Sequence, residues 1–171
     1  MFHSFTAYLQ QFEREDLWHY HLQVPDEVAL ALKSGGTRVI CTLNHTYSFQ
    51  CAVMSAGEKG YFININKEIR DRLHLKLHDE IRVHLIPDPS KYGMPVPEVF
   101  AELWQQDPEF DEVFHTLSPG KQRTLLHMIG KFKSETKQLE KLLILRHYLV
   151  GVGGKLDFKE LNEAFKKGSK G

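Results

Sequence analysis

Residues 61–86, YFININKEIRDRLHLKLHDEIRVHLI, constrain the fold more than any other part of the chain. Tyr61 to Ile65 read as a strand. Asn66 is placed to cap a helix, because its side-chain oxygen accepts a bond from the first free backbone N–H groups. Glu68, Ile69, Leu73 and Leu75 follow, then a turn at Leu77-His78-Asp79, then Ile81, Val83 and Leu85 alternating with Arg82 and His84. The same order of strand, short helix, turn and strand occurs earlier. Val24-Pro25-Asp26-Glu27-Val28 leads to Leu32, and Val39, Cys41 and Leu43 then alternate. A shift of 41 places Pro25 to Val28 on Asn66 to Ile69, and a shift of 42 places Val39, Cys41 and Leu43 on Ile81, Val83 and Leu85. Internal repeats expose symmetric architectures. Two such halves in one chain imply a pseudo-twofold barrel formed without a partner subunit.

The 61–86 stretch resembles the AbrB/MazE-type half-barrel, whose pattern reads roughly I-P-K-E-I-R-x-x-L-G-I-x-x-G-D-x-V. Lys67, Glu68, Ile69, Arg70, Leu73 and Asp79 match it, Asn66 replaces its Pro, and His74 and His78 replace its two Gly residues. Histidine is among the non-glycine residues enriched at positive φ, so a structural role is expected for both.

Short strands continue on the N-terminal side. Phe5, Ala7 and Leu9 alternate with Thr6, Tyr8 and Gln10, and Glu13 to Asp16 form a polar turn. Trp18, Tyr20, Leu22 and Val24 alternate with His19, His21 and Gln23. Pro25 suits the first turn of a helix that ends at Ser34-Gly35-Gly36. Arg38 to Leu43 and Tyr47 to Val53 read as strands divided by a turn at Asn44-His45. Beyond Leu85 the composition changes. Ile86 to Pro97 holds four prolines and Gly93 and reads as a linker, after which the period becomes helical. Pro97 opens a helix with Val99, Leu103 and Trp104, and Asp107-Pro108 and Ser118-Pro119 restart the chain. Ser134 caps a long helix ending near Gly151, and 157–167 form an amphipathic tail.

Read whole, the chain resembles a bacterial two-part family: an N-terminal domain of unknown function with an AbrB-like barrel, joined to a YdeI/OmpD-associated (bacteriocin-protection) helical domain. The first match rests on Val24-Pro25, Arg38-Val39, Asn64 to Arg70 and Asp79. The second rests on Val96-Pro97, Phe114, Leu117-Ser118-Pro119, Ile129, Lys131 and Glu135-Thr136. Where that family reads about A-K-x-x-x-T-R, this chain has Gly130 before Lys131 and Lys137 after Thr136. The resemblance implies an α+β fold in two domains, a pseudo-twofold double-split β-barrel over 1–87 and a small helical domain over 97–167. It also implies an association with protection against antimicrobial agents, without a chemical activity.

Totals narrow the function further. The 22 basic residues equal the 22 acidic ones, which argues against strong general binding to polyanions. Cys41 and Cys51 fall at apolar strand positions and suit free thiols in a reducing compartment. No run approaches 18 apolar residues, and MFHSFTAYLQQFE lacks the pattern of a signal peptide, so a cytoplasmic protein without a membrane span is expected. No nucleophile elbow, phosphate loop, zinc-protease motif or dinucleotide fingerprint occurs. The expectation is a non-enzyme with no catalytic residues, no cofactor and no metal. Ten histidines include His19 and His21 on one strand face, yet no cysteine or carboxylate is spaced to complete a ligand set.

The charge pattern is sharper than the total. Residues 98–112 carry six acids and no base, whereas 118–150 carry seven bases against Glu135 and Glu140. Lys133, Lys137 and Lys141 recur every four residues, as a helix stripe would, and form the candidate surface for an anion or partner. No aromatics interleave them for base stacking. The expected partner is a protein, a peptide or a small anion. The alternative is a nucleic-acid-binding regulator using the barrel through Arg38, Lys67 and Arg70. Four bases against four acids in the second repeat argue against strong nucleic-acid binding.

Overall fold

The computed structural model describes residues 1–13 and 20–168. The chain divides into two units, Met1–Met94 and Pro95–Gly171. In order, the first contains β1 (His3–Tyr8), β2 (Gln10–Gln11), β3 (Tyr20–Val24), α1 (Asp26–Lys33), β4 (Arg38–Leu43) and β5 (Tyr47–Ala52). It continues with β6 (Met54–Ser55), β7 (Tyr61–Asn64), α2 (Lys67–Arg72) and β8 (Glu80–Pro87). These strands make two antiparallel four-stranded sheets, β1-β8-β4-β5 and β2-β3-β7-β6. Trp18 and His19, expected at the start of the second strand, lie outside the described residues.

The repeat reappears as strand register. Leu22 of β3 lies opposite Ile63 of β7, 41 residues on, and Thr42 of β4 lies opposite His84 of β8, 42 residues on. These are the two offsets at which the sequence repeat superposes. At each of these pairs a residue therefore meets its own counterpart, as a twofold relating the halves requires. The alternation read along the strands places Val39, Cys41 and Leu43 in one core with Ile81, Val83, Leu85, Leu22, Val24, Ile63 and Ile65. Leu9, between β1 and β2, is fully buried where the chain passes from one sheet to the other. Both thiols are free, Cys41 buried and Cys51 half-buried. A hydrogen bond with Cys51, then burial, pushes the Cys41 thiol far up from its ordinary value.

Local chemistry explains the helix ends. Pro25 stands at the N-cap of α1 rather than in its first turn: ψ is 139°, and its carbonyl accepts from the backbone N–H groups of Val28 and Ala29 at 3.0 Å. Asn66 caps α2, its side-chain oxygen accepting from Ile69 N at 2.9 Å. At the other end of α2, Leu75 N donates to Arg70 O at 2.9 Å and His74 N to Asp71 O at 3.3 Å. That pair of bonds is a Schellman closure, which asks for a left-handed residue at the position of His74. His74 has φ 53° and His78 φ 73°, so both histidines occupy the backbone conformation expected from the glycines they replace. His74→Gly is expected to raise stability by up to about 1 kcal/mol, since relief of the left-handed conformation outweighs the added unfolded-state freedom. His74→Val should instead cost more than about 1 kcal/mol. Urea unfolding midpoints of the two variants check this, and a destabilised glycine variant would show that the imidazole itself holds the turn.

The stretch expected as a linker is tied down for most of its length. Ile86 and Pro87 belong to β8, Asp88 N donates to Arg38 O, and Gln50 Nε2 donates to Asp88 at 2.8 Å and to Ser90 Oγ at 3.0 Å. Burial works against the Asp88 carboxylate, but the hydrogen bonds from Ser90 and Gln50 hold its pKa below the ordinary value. Gly93, at φ 67°, accepts from the Arg38 guanidinium, and a Cβ there would lie 2.7 Å from Arg38 Nε. Proline density marked a change of secondary structure here, while side-chain bonds anchor the segment to the sheet.

The second unit is helical: α3 (Glu98–Gln106), α4 (Pro108–His115), α5 (Pro119–Gly130), α6 (Glu135–Gly151) and α7 (Phe158–Gly168). Asp107 closes α3 and caps α4, accepting from Phe110 N at 3.0 Å, and Ser118 and Ser134 cap α5 and α6. Phe100, Phe110, Phe114, Leu125, Leu126, Ile129, Leu142, Leu145, Leu149 and Leu161 are fully buried. α6 packs against α3, α4, α5 and α7. Leu139 and Leu143 of α6 are exposed, whereas Leu142, Leu145 and Leu149 are turned inward and fully buried.

Candidate functional site

The sequence-predicted lysine stripe does not form one surface. Lys133 precedes α6, outside the helix that would have aligned it with the others. Lys137 pairs with Glu140 at 3.3 Å. Lys141 is 6% exposed, its ammonium over the Phe165 ring of α7 and donating to the Phe165 carbonyl at 3.4 Å. A lysine stem packs well on apolar surface while its charged end finds an acceptor; here that acceptor belongs to α7. The acidic and basic segments also meet directly. Arg146 Nε donates to Asp107 at 2.6 Å, and Arg146 Nη2 to Glu109 at 3.2 Å. The Arg146 hydrogen bond, with the Phe110 N–H, holds the Asp107 carboxyl below its ordinary value.

The residues considered for nucleic acid are likewise engaged within the protein. Arg38 is bound to Gly93 O. Arg70 donates to Ile65 O at 2.7 Å and stacks 3.7 Å from the centre of the Tyr20 ring. Lys67 is exposed but pairs with Asp71 at 2.6 Å, and that bond lowers the Asp71 pKa. The three guanidinium and ammonium groups serve three different local contacts and present no common row for a phosphate backbone.

A better candidate lies on the second sheet. Because Leu22 and Val24 point into the core, His21 and Gln23 fall on the opposite face of β3. There they help to line a hollow of about 720 Å³ with Gln10, Gln11, Phe12, Tyr61, Phe62 and His78. Phe12 stacks on His21 with ring centres 3.7 Å apart, and the edge of Phe62 meets both rings. Lys33 donates to the Tyr61 hydroxyl at 2.6 Å and so fixes that side chain. A second hollow of about 580 Å³ shares Gln10 and Gln23 and adds Thr6, Tyr8, Asp26 and Glu27. The Glu80 carboxylate, 3.0 Å from the Tyr8 hydroxyl, raises that phenol above its ordinary pKa.

Amides that both donate and accept, set beside aromatic rings, suit a polar ligand with planar groups, such as a peptide. No serine, threonine or cysteine is among the described residues lining the larger hollow. Among the described residues no three His, Cys, Asp or Glu side chains converge as a metal site would require, and His19 lies outside them. No helix among them is long and apolar enough to cross a membrane. Sequence reasoning placed Tyr8, Gln10, His21 and Gln23 on polar strand faces but had no signal joining those faces. The join comes from pairings such as Gln10 with His21 and Gln23 with Phe62.

A comparison with curated proteins returns no match. Residues 5–85 match the family model described as a domain of unknown function (DUF1905). Residues 93–142 match the model described as bacteriocin-protection, YdeI or OmpD-associated. The chain is thus similar to a fusion of these two domain types, in the order anticipated from its residues.

Proposed function

We propose that this is a non-enzymatic bacterial binding protein of the YdeI/OmpD-associated type that contributes to tolerance of antimicrobial peptides or related stress. The match of residues 93–142 to the bacteriocin-protection family carries this reading. The first unit acts as a double-split barrel of AbrB-like type whose two halves come from one chain, and the self-meeting registers at Leu22–Ile63 and Thr42–His84 support that. Its amide- and aromatic-lined hollow holds a protein or peptide segment rather than a reacting substrate. The free thiols of Cys41 and Cys51 fit a reducing, cytoplasmic setting. Binding to duplex nucleic acid is not part of this role, since Arg38, Lys67 and Arg70 are spent on internal contacts.

The test is genetic. Cells lacking the gene should survive a panel of cationic antimicrobial peptides less well than the parent, and the intact gene should restore survival. A copy carrying Gln10→Ala and Gln23→Ala, two exposed residues shared by both hollows, should restore it poorly. Equal survival of deleted and parent cells across the panel would reject the role.

A further inference from the structure

The outer face of the first sheet carries a polar row that the role above does not use. Strand register aligns Ser4, His84, Thr42 and Ser48 across β1, β8, β4 and β5. Ser4 Oγ lies 2.8 Å from His84 Nδ1, and Thr42 Oγ1 lies 2.7 Å from Ser48 Oγ. Beside this row, Thr6 stands opposite Arg82. A hollow of about 250 Å³ opens here, lined by Ser4, Thr6, Thr42, His45, Arg82 and His84 among others, with no acidic residue in its wall. The carboxylate two residues along the strand, Glu80, is bound to the Tyr8 hydroxyl.

Arg82 differs from the other arginines described above. Its side chain is exposed and makes no hydrogen bond or ion pair with the described residues, whereas Arg38, Arg70 and Arg146 are all bound within the protein. Its backbone, by contrast, is held from both sides: Asn44 N donates to Arg82 O at 2.8 Å, and Arg82 N donates to Asn44 Oδ1 at 2.9 Å. Those bonds pin the turn closed by Thr46 N and Leu43 O, whose central residues Asn44 and His45 have φ 49° and 60°. Turns of this kind favour glycine at the second position. Histidine there is conformationally costly, and its imidazole lines the hollow. Backbone strain of this sort gathers at ligand sites. When the Ser4 hydroxyl donates to His84 Nδ1, the proton of that ring sits on Nε2 and becomes a further donor.

We propose that this face binds a single phosphate group, either free or as the terminal monoester of a small metabolite. Arg82 supplies the charge and a forked pair of donors, and His45, His84 and the threonine hydroxyls complete the shell. The hollow is smaller than a typical pocket for a drug-sized molecule and of the right scale for one such group. The inference stands on this sheet face alone and does not depend on the role proposed above.

Titration of the full chain with inorganic phosphate at constant ionic strength, followed by calorimetry and amide NMR shifts, tests it. One saturable site per chain is expected, with a dissociation constant of about 1 mM or tighter and the largest shifts at residues 6, 42, 45, 82 and 84. Arg82→Gln should weaken binding about tenfold or more, as loss of a charge-assisted pair does, whereas Lys67→Gln should leave it unchanged. His45→Gly relieves the turn and so cannot be blamed on misfolding; it should weaken binding several-fold while keeping or raising the unfolding midpoint. A hexose 6-phosphate that binds more tightly than inorganic phosphate identifies a monoester as the ligand, and the reverse order identifies the free ion. Linear, non-saturating shifts, or equal affinity in Arg82→Gln and the unaltered chain, would overturn the proposal.

Discussion

Phe114→Ala is expected to destabilise the helical unit by about 3–5 kcal/mol, the range for removing a fully buried aromatic ring. Phe114 is 0% exposed, and its ring centre lies 5.5 Å from that of Phe100, 5.1 Å from Trp104 and 5.9 Å from Phe110. Truncation deletes the middle of this cluster and leaves a void that the rigid backbones of α3 and α4 refill only in part. The contrast is Leu143→Ala on α6, where a 49% exposed side chain should change stability by no more than about 0.5 kcal/mol. Urea unfolding followed by helical circular dichroism separates the two. A Phe114→Ala loss below about 1 kcal/mol would mean that the aromatic cluster is not the core of this unit.

Comparable losses should follow at the centre of the first unit. Leu22 and Ile63 are both 0% exposed and face each other across β3 and β7. Each alanine substitution should cost about 2–5 kcal/mol. The two side chains border one space, so the double variant should lose less than the sum of the singles, the usual behaviour of residues in contact. Leu30→Ala, at a 57% exposed position of α1, serves as the control. Strict additivity in the double-mutant cycle would show that Leu22 and Ile63 do not share a cavity.

Which features could be read from the chain follows from how far apart their causes lie. Helix starts at Asn66, Ser118 and Ser134 were legible because a cap needs only its own side chain and an N–H three residues later. The repeat was legible as shifts of 41 and 42, but those offsets recur only at the pairs Leu22–Ile63 and Thr42–His84, and the rest of the antiparallel register was not read from the sequence. Lys141 was misplaced on an exposed stripe because its environment is set by Phe165, 24 residues on, which spacing along one helix cannot show. The anchoring of 88–93 escaped notice for the same reason, since Arg38 meets Gly93 across 55 residues. None of the three hollows on the sheet faces was foreseen. Polar alternation says which residues face away from the core, but not which strands bring those faces together, as Ser4 and His84 are brought across 80 positions.

The self-meeting pairs have a consequence for the orientation of a bound molecule. In a dimer of two identical halves, any residue on the axis would face a copy of itself, and a ligand there would meet the same group from both sides. Joined in one chain, the counterparts are free to differ: Thr42 faces His84, and the residue equivalent to Arg82 is Ile40. One side of the seam is cationic and its mate is aliphatic. A molecule bound at the proposed phosphate site on this sheet would therefore have one orientation available instead of two equivalent ones.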